Sequence, residues 1–457
     1  MKQWLELQGE EFALRLQDML EKKQYRELRG AFSLFEAPDL AQLFGRFEEK
    51  EMLLLFRLLP KDTAAEVFVE MEAEQKESLI NSFSDAYLQE VLSELYIDDT
   101  VELIEEMPAG VVKRILRNAD EESRESINRI LRYPKDSAGS MMTTEYVRLY
   151  KDMTVAEAFE RIRRDAYDKE TVYTCYVTER DRLLIGVVTV RDLLVAEEDA
   201  VIGDIMTENV IYAETMDDRE SVANAMSKYD FLALPVVDKG KRLVGIVTYD
   251  DASDVLQEEF TEDIEKMAAI VPTDKPYLRT GAWETWKSRI PWLMLLLLSA
   301  TFTGAILSSY ESALSKVAIL TVFIPMLMGT AGNAGSQASV AVIRALSLGE
   351  VEMRDVFAVL WKELRVALLC GIALGVVGFG KAVFLDGASM EVAFVVSLTL
   401  ALTVLLAKLA GCLLPLGAKR IGLDPAVMAS PFITTIVDTL SLLVYFAVAT
   451  ALIPELG

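Results

Sequence analysis

The sequence predicts a multidomain membrane protein: an all-α N-terminal superhelical domain, an α+β tandem pair, a connecting helix and a five-span α-helical transmembrane domain. Three observations lead there: charge is concentrated in one half, the other half holds stretches long enough to cross a bilayer, and one segment occurs twice. The net charge is −25 over 457 residues. From Ser288 onward ten acidic and ten basic residues cancel, so residues 1–287 hold the whole excess, 61 acidic against 36 basic. A negative field of that size attracts cations and repels nucleic acid, which disfavours a DNA- or RNA-binding role.

Residues 1–133 are expected to be helical throughout. Short amphipathic segments such as Met52–Leu59, Ala64–Met71 and Ala86–Leu95 are separated by the turn and cap residues Pro60, Asp62, Ser84, Asp98 and Pro108. That alternation suggests a helical superhelix. Taken alone, such a domain is an interaction scaffold whose acids are solvated surface charge.

An internal repeat follows, expected over 134–200 and 201–255. Gly139-Ser-Met-Met-Thr143 leads to Ile185-Gly-Val-Val-Thr-Val-Arg-Asp192, and Gly203-Asp-Ile-Met-Thr207 leads to Val244-Gly-Ile-Val-Thr-Tyr-Asp-Asp251. Each copy has a helix (Val155–Arg163; Arg219–Lys228), then alternating β-branched strands, then a helix starting at the Asp. This pattern resembles a tandem pair of CBS domains. The resemblance implies that Thr189 with Asp192, and Thr248 with Asp251, hold the ribose of ATP or another adenine nucleotide. The alternative is that Thr-x-x-Asp only caps the next helix.

The connecting helix is expected over 251–275. Asp251, Asp254, Glu258, Glu262 and Glu265 recur at steps of three or four and should stack along one face. Like charges at that spacing oppose a helix by about 0.2–0.5 kcal/mol per pair, a penalty that a bound cation relieves. The chain has no histidine, so hard oxygen ligands point to magnesium or calcium rather than zinc, copper or nickel. A solvated linker is the alternative.

The transmembrane domain is expected over 288–457. Ile290–Tyr310 is free of charge for 21 residues and Val317–Ile343 for 27, each enough to cross about 30 Å of hydrocarbon. Three further apolar stretches, at roughly 366–385, 392–417 and 425–453, carry one charged residue apiece. The first 60 residues are charged throughout, so no signal peptide is expected. Eight basic residues fall on the side of the acidic half, and only Lys316 and Lys381 on the other. The positive-inside rule then puts the N-terminus in the cytoplasm and the C-terminus outside, in the plasma membrane. Cys175, Cys370 and Cys412 are too few and too scattered for a disulfide framework or a zinc site.

Two spans carry candidate chemistry. Ile324–Ala338 contains Pro325, three glycines, Asn333, Ser336 and Gln337, which are expected to weaken or break the helix. Irregular backbone at membrane depth persists only beside protein or a water-filled cavity, where carbonyl and amide oxygens suit a cation or its hydration shell. A small-residue packing face is the alternative. In the last span Asp438 lies deep in apolar sequence, which by default marks an ion pathway. Lys408, the other buried charge, either pairs with a carboxylate or snorkels to an interface.

At this point the chain resembles the MgtE family of magnesium channels and transporters. The likeness rests on the order of its domains, the Gly-Asn-Ala-Gly-Ser-Gln run and the spacing of Asp424-Pro-Ala to Asp438. The resemblance implies a homodimer in the lipid bilayer with a pore on its two-fold axis. Asp438 would line that pore and hold a largely hydrated magnesium ion, while Asn333 is a candidate ligand through its amide oxygen. Asp424 would sit at the cytoplasmic mouth beside the connecting, or plug, helix, where Glu259, Glu262 and Asp263 match ligands. Asp218, Glu220, Asp230, Asp251 and Asp254 match regulatory magnesium positions of the CBS pair. Glu66, Asp98 and Glu102 match acids where the N-terminal domain docks on that pair. Ser336 and Ser430 stand where some relatives carry asparagine. The implied function is magnesium import through a pore closed by cytoplasmic magnesium. An ion-coupled divalent-cation carrier or efflux protein, regulated by nucleotide at the CBS pair, is the rival. No Walker loop, nucleophile elbow or His–Asp pair supports an enzyme.

Overall fold

The computed structural model describes residues 10–273, 277–278, 280–428 and 430–456. The first nine residues of the expected N-terminal domain, residues 274–275 of the expected connecting helix, residues 429 and 457, and the side chain of Ser430 lie outside the described residues. The chain divides into two compact units, Met1–Leu256 and Gln257–Gly457.

In the first unit, residues 10–130 form ten short helices, from α1 (Glu10–Glu21) to α10 (Glu121–Ile130), including α5 (Lys61–Val69), α7 (Asp85–Leu92) and α8 (Ile97–Glu106). Caps set their boundaries. Ser84 accepts from Tyr87 N at the start of α7, and Asp120 accepts from Ser123 N at the start of α10. Phe32 meets Phe44 edge-on at 5.5 Å, and Phe56 meets Phe68 at 6.2 Å, so aromatic edges knit successive helix pairs. Arg114 ties the array lengthwise by donating to the carbonyls of Ile80 and Phe83.

The repeat forms two three-stranded sheets, β1 (Tyr146–Leu149), β2 (Thr171–Thr178) and β3 (Leu184–Thr189), then β4 (Ala213–Glu214), β5 (Ala233–Val237) and β6 (Leu243–Thr248). In each, the first strand runs parallel to the second and the second antiparallel to the third. Their helices are α11 (Val155–Asp165), α12 (Val190–Val195), α13 (Ile202–Ile205) and α14 (Arg219–Tyr229). The copies exchange edges: Thr143, ahead of β1, bridges Ile246 in β6, while Thr207, ahead of β4, bridges Val187 in β3. That reciprocity joins the two copies into one body.

The connecting helix α15 spans Tyr249–Met267, starting earlier and ending sooner than the sequence suggests. The second unit then contains α16 (Ala282–Ser309), the short α17 (Glu311–Lys316), α18 (Leu320–Ser347), α19 (Val356–Phe384), α20 (Met390–Arg420) and α21 (Ser430–Leu452). Four of these stretches are long and apolar enough to cross a membrane: α16, those containing α19 and α20, and Pro425–Leu452. The remaining expected span, second in chain order, falls on α18, which has 28 residues but is diluted by its glycines, Asn333, Ser336 and Gln337.

The expected break in that span is corrected: α18 is one continuous helix with Pro325 inside it. Pro325 lies in the second turn, where little of the intrahelical ladder is lost. The glycines admit neighbours instead of breaking the backbone. A Cβ on Gly335 would fall 2.9 Å from Ile433 Cγ2 and 3.2 Å from the Ala407 carbonyl oxygen. Tyr445 Oη, donating to the Leu320 carbonyl at 3.0 Å, pins the other end of α18 to α21.

Candidate functional site

Asp438 projects from α21 toward the glycine segment of α18. Its Oδ1 is buried and has no hydrogen-bond partner among the described residues. A Cβ on Gly332 would lie 3.1 Å from Thr434 Cγ2 and 3.8 Å from Asp438 Oδ1, so glycine lets α18 approach the carboxylate. Asn333, the next residue, is exposed on α18 together with Gln337. Asn333 thus follows directly on the glycine that faces Asp438, and it is itself exposed. A shallow groove on the exposed face is lined by Ser336, Gln337, Val340, Ala341 and Arg344.

Asp424 lies where α20 has ended and α21 has not begun. Its Oδ1 accepts from Ala426 N at 2.8 Å, and its Oδ2 lies 2.7 Å from Lys266 Nζ. Lys266 also meets Glu262 Oε1 at 2.5 Å. Burial works against the Lys266 ammonium, yet its hydrogen bonds and charge interactions with Asp424 and Glu262 outweigh that and hold its pKa above the usual lysine range. Asp263 Oδ2 accepts from Ser347 Oγ at 3.3 Å. Burial, then the charge of Asp424, raises the Asp263 carboxyl above its ordinary pKa. Met267 packs on Ile343 and Ala426, which seats the end of α15 beside these acids. Glu259 is half-buried on the same helix.

The acids expected to stack along one face all lie within the continuous helix α15, and their surroundings differ along it. Asp251 accepts from Thr248 Oγ1 at 2.7 Å, Glu262 meets Lys266, and Glu265 Oε2 accepts from Thr273 N at 3.0 Å. Burial and Asp250 raise Asp254. Glu258 is exposed.

A second acidic group occupies the seam between α8 and the repeat, wholly within the first unit. Ile97 N, at the start of α8, donates to Glu145 Oε2 at 3.0 Å, and Thr143 Oγ1 donates to the same oxygen at 2.8 Å. Around this bond gather Asp98, Asp99, Glu102, Glu170, Asp250 and Asp251, each felt electrostatically by others of the group. Burial, then Asp251, pushes Asp98 well above the usual carboxylate range. Asp99 is pushed up to about 6 by burial and Glu102. Glu170 reaches about 8 through burial and Asp99. Asp251 reaches about 7, with burial outweighing the bond from Thr248. Burial also raises Glu145. Neighbouring lysines offset little of this, Lys76 acting on Asp99 and Lys169 on Glu145. Among the described residues, no three acids or cysteines converge tightly enough to hold an ion as they stand.

The remaining candidates stand apart. Glu66 is exposed on α5, outside the seam. Asp218 caps α14 by accepting from Ser221 N, Glu220 lies in its first turn, and Asp230 ends it in a left-handed conformation at φ 55°. Thr189 and Asp192 form a reciprocal capping box at α12, with Thr189 Oγ1 2.6 Å from Asp192 Oδ2.

This architecture has full-length relatives. A magnesium transporter MgtE of Thermus thermophilus is 38% identical over 448 residues, covering 97% of this chain and 99% of the relative. The chain belongs to the MgtE family. A Bacillus subtilis MgtE magnesium transporter is 33% identical, covering 98% of both chains. Family profiles match MgtE, described as a divalent cation transporter, at 324–448, the MgtE intracellular N domain at 35–136, and CBS domains at 138–199 and 202–258. A crystal structure of the cytosolic domain of the Mg2+ channel MgtE in complex with ATP is similar with TM-score 0.51 and 37% identity, covering 53% of this chain and 99% of that one.

Within this MgtE chain, sequence reasoning missed Lys266, Glu145, Glu170, Asp99 and Asp250. Lys266 was legible as the basic residue one turn after Glu262. The others come from separate segments and have no local pattern.

Proposed function

We propose that this protein carries magnesium ions inward across the membrane through a pore formed by two copies of the chain, and that cytoplasmic magnesium closes it. The observation that carries the reading is Asp438, whose Oδ1 is buried inside an apolar helical unit and has no partner among the described residues. An uncompensated carboxylate there is costly and suits a cation passing in a water-filled path. Exposed Asn333 and Gln337 on a helix between apolar spans support the same path, since amides at membrane depth require water or protein. A second copy facing the groove beside Gln337 would enclose it. In this reading α18 also spans the membrane, as the second of five spans, with the N-terminus cytoplasmic and the C-terminus outside.

Regulation follows from charge. The acids of the α8 seam and of α15 repel one another when magnesium is low, and the pore opens. Magnesium, as a hard cation that favours carboxylates and keeps several waters, relieves that repulsion and favours the closed state. Asp98, Glu102 and Asp251 serve the seam, while Glu259, Glu262, Asp263 and Asp424 serve the mouth. The ion moves down the membrane potential, worth about 2.3 kcal/mol per charge per 100 mV. An adenine nucleotide at Thr189 and Asp192 would tune this response. The ATP complex of the relative's cytosolic domain supports nucleotide binding as such.

Purified protein in liposomes tests the core of the reading. Asp438→Ala should abolish magnesium uptake while leaving folding and dimerisation intact; undiminished uptake would remove the pore assignment. Single-channel current favours a channel, and flux that requires a second ion favours the coupled carrier.

A further inference from the structure

A buried ion pair in the second unit has no part in the pathway proposed above. Lys408 Nζ on α20 lies 3.5 Å from Glu363 Oε2 on α19, with the two side chains 7% and 12% exposed. Glu363 Oε2 is closed off from solvent and accepts no hydrogen bond among the described residues. Both residues lie within stretches long and apolar enough to cross a membrane. Along α20 the lysine sits between Ala407 of one apolar cluster and Cys412 of the next. A pair so placed recovers its desolvation cost poorly and contributes little net stability, whereas an unpaired partner is strongly destabilising. Its value is therefore geometric: it fixes which face of α20 turns toward α19.

The neighbouring face of α20 has no slack where it meets α18. A Cβ on Gly411 would fall 2.3 Å from the Gly335 carbonyl oxygen, and one on Gly335 would fall 3.2 Å from the Ala407 carbonyl oxygen. On its other side Gly335 meets Ile433 of α21, and Gly332 faces Thr434 and Asp438. Thus α18 is held between α20 and α21 at the level of Asp438. A small rotation of α20 moves Ala407 and Gly411, and the glycine segment of α18 must follow.

We propose that Glu363 and Lys408 are a positioning pair for ion transport, holding α20 so that Gly332–Gly335 of α18 sits correctly beside Asp438. This rests on Asp438 being the ion site.

The test is magnesium uptake by the full-length protein in liposomes, scored as half-saturating concentration and maximal rate per folded protein. Glu363→Gln and Lys408→Met should each raise the half-saturating concentration several-fold. The exchanged pair Glu363→Lys with Lys408→Glu should bring it back toward wild type, the coupling expected of two residues acting together. Unchanged half-saturation in folded single variants, or an exchange no better than either single change, overturns the proposal, because a merely structural pair alters only the amount of folded protein. If those variants do not fold, Glu363→Asp and Lys408→Arg keep both charges and alter reach, and the same criterion applies to them. Asp438→Ala runs in parallel. Intact uptake there defeats the ion-site reading itself, whereas lost uptake with unchanged half-saturation in the pair variants defeats only this inference.

Discussion

Lys266 Nζ lies 2.7 Å from Asp424 Oδ2 and 2.5 Å from Glu262 Oε1, so a tethered cation joins the connecting helix to the acid ahead of α21. Both contacts are made by this chain's own side chains. The bridge gives the docked helix a baseline on which magnesium at the neighbouring acids can act.

Replacing Lys266 with methionine should expose that baseline. The side chains of the bridge are partly solvated, so its two contacts are worth about 1 kcal/mol together, roughly a fivefold change in the docked fraction. In magnesium-free buffer, α15 of Lys266→Met should be cut faster by protease than in wild type, and saturating magnesium should narrow the gap. Equal cleavage without magnesium would show that the bridge does not hold the helix.

Much of the fold was legible because its signals are local. The duplicated Gly-x-Val/Ile-Val-Thr segments give β3 and β6, and short amphipathic runs give the N-terminal helices. The error over α18 has a physical cause: glycine weakens an isolated helix, but in a packed one it admits a neighbour's backbone, and the sequence does not name the neighbour. Glu363 went unnoticed since the apolar stretch begins just after it, although α19 starts at Val356. Of the seam, Asp98, Glu102 and Asp251 were legible through family resemblance. Glu145 and Glu170 join them only through tertiary packing.

The seam should make docking of α8 depend on pH. Asp99, Asp251 and Glu170 have folded-state values of about 6, 7 and 8, above the roughly 4 expected of unfolded carboxylates. Between those limits the folded seam binds more protons than the unfolded chain, so its stability falls as pH rises. Without magnesium, amide exchange in α8 of the full chain should be slower at pH 6 than at pH 8 after correction for intrinsic rates. Saturating magnesium should shrink the difference. Protection that rises with pH would contradict the cluster's electrostatics.

The glycine contact between α18 and α20 is a steric prediction. Gly411→Ala puts a methyl 2.3 Å from the Gly335 carbonyl oxygen, and forced overpacking costs about 1–3 kcal/mol. Gly329, also on α18, has open space around it, and alanine there should stabilise by roughly 0.5–1 kcal/mol through helix propensity. Thermal unfolding in detergent should therefore move in opposite directions for the two variants. A Gly411→Ala protein as stable as wild type would mean the helices do not approach this closely.

Asp263 gives the sharpest test of charge repulsion at the mouth. Its carboxyl is half-buried, accepts from Ser347 Oγ, and is raised by burial and then by Asp424. Two acids that disfavour each other's charge oppose docking of α15, and a divalent ion can prefer the docked state only by relieving that opposition. Asp263→Asn keeps an oxygen to accept from Ser347 while removing one of the repelling charges. The variant should hold α15 in place at lower magnesium than wild type, giving smaller uptake in magnesium-poor cytoplasmic buffer and a shallower response as the ion is added. Were Asp263 chiefly a ligand, the same change would shift closure to higher magnesium. Liposome uptake, measured against cytoplasmic-side magnesium, separates these by the sign of the shift. A variant with the wild-type curve would leave Asp263 as a helix-end acid bonded to Ser347 and remove it from the gate.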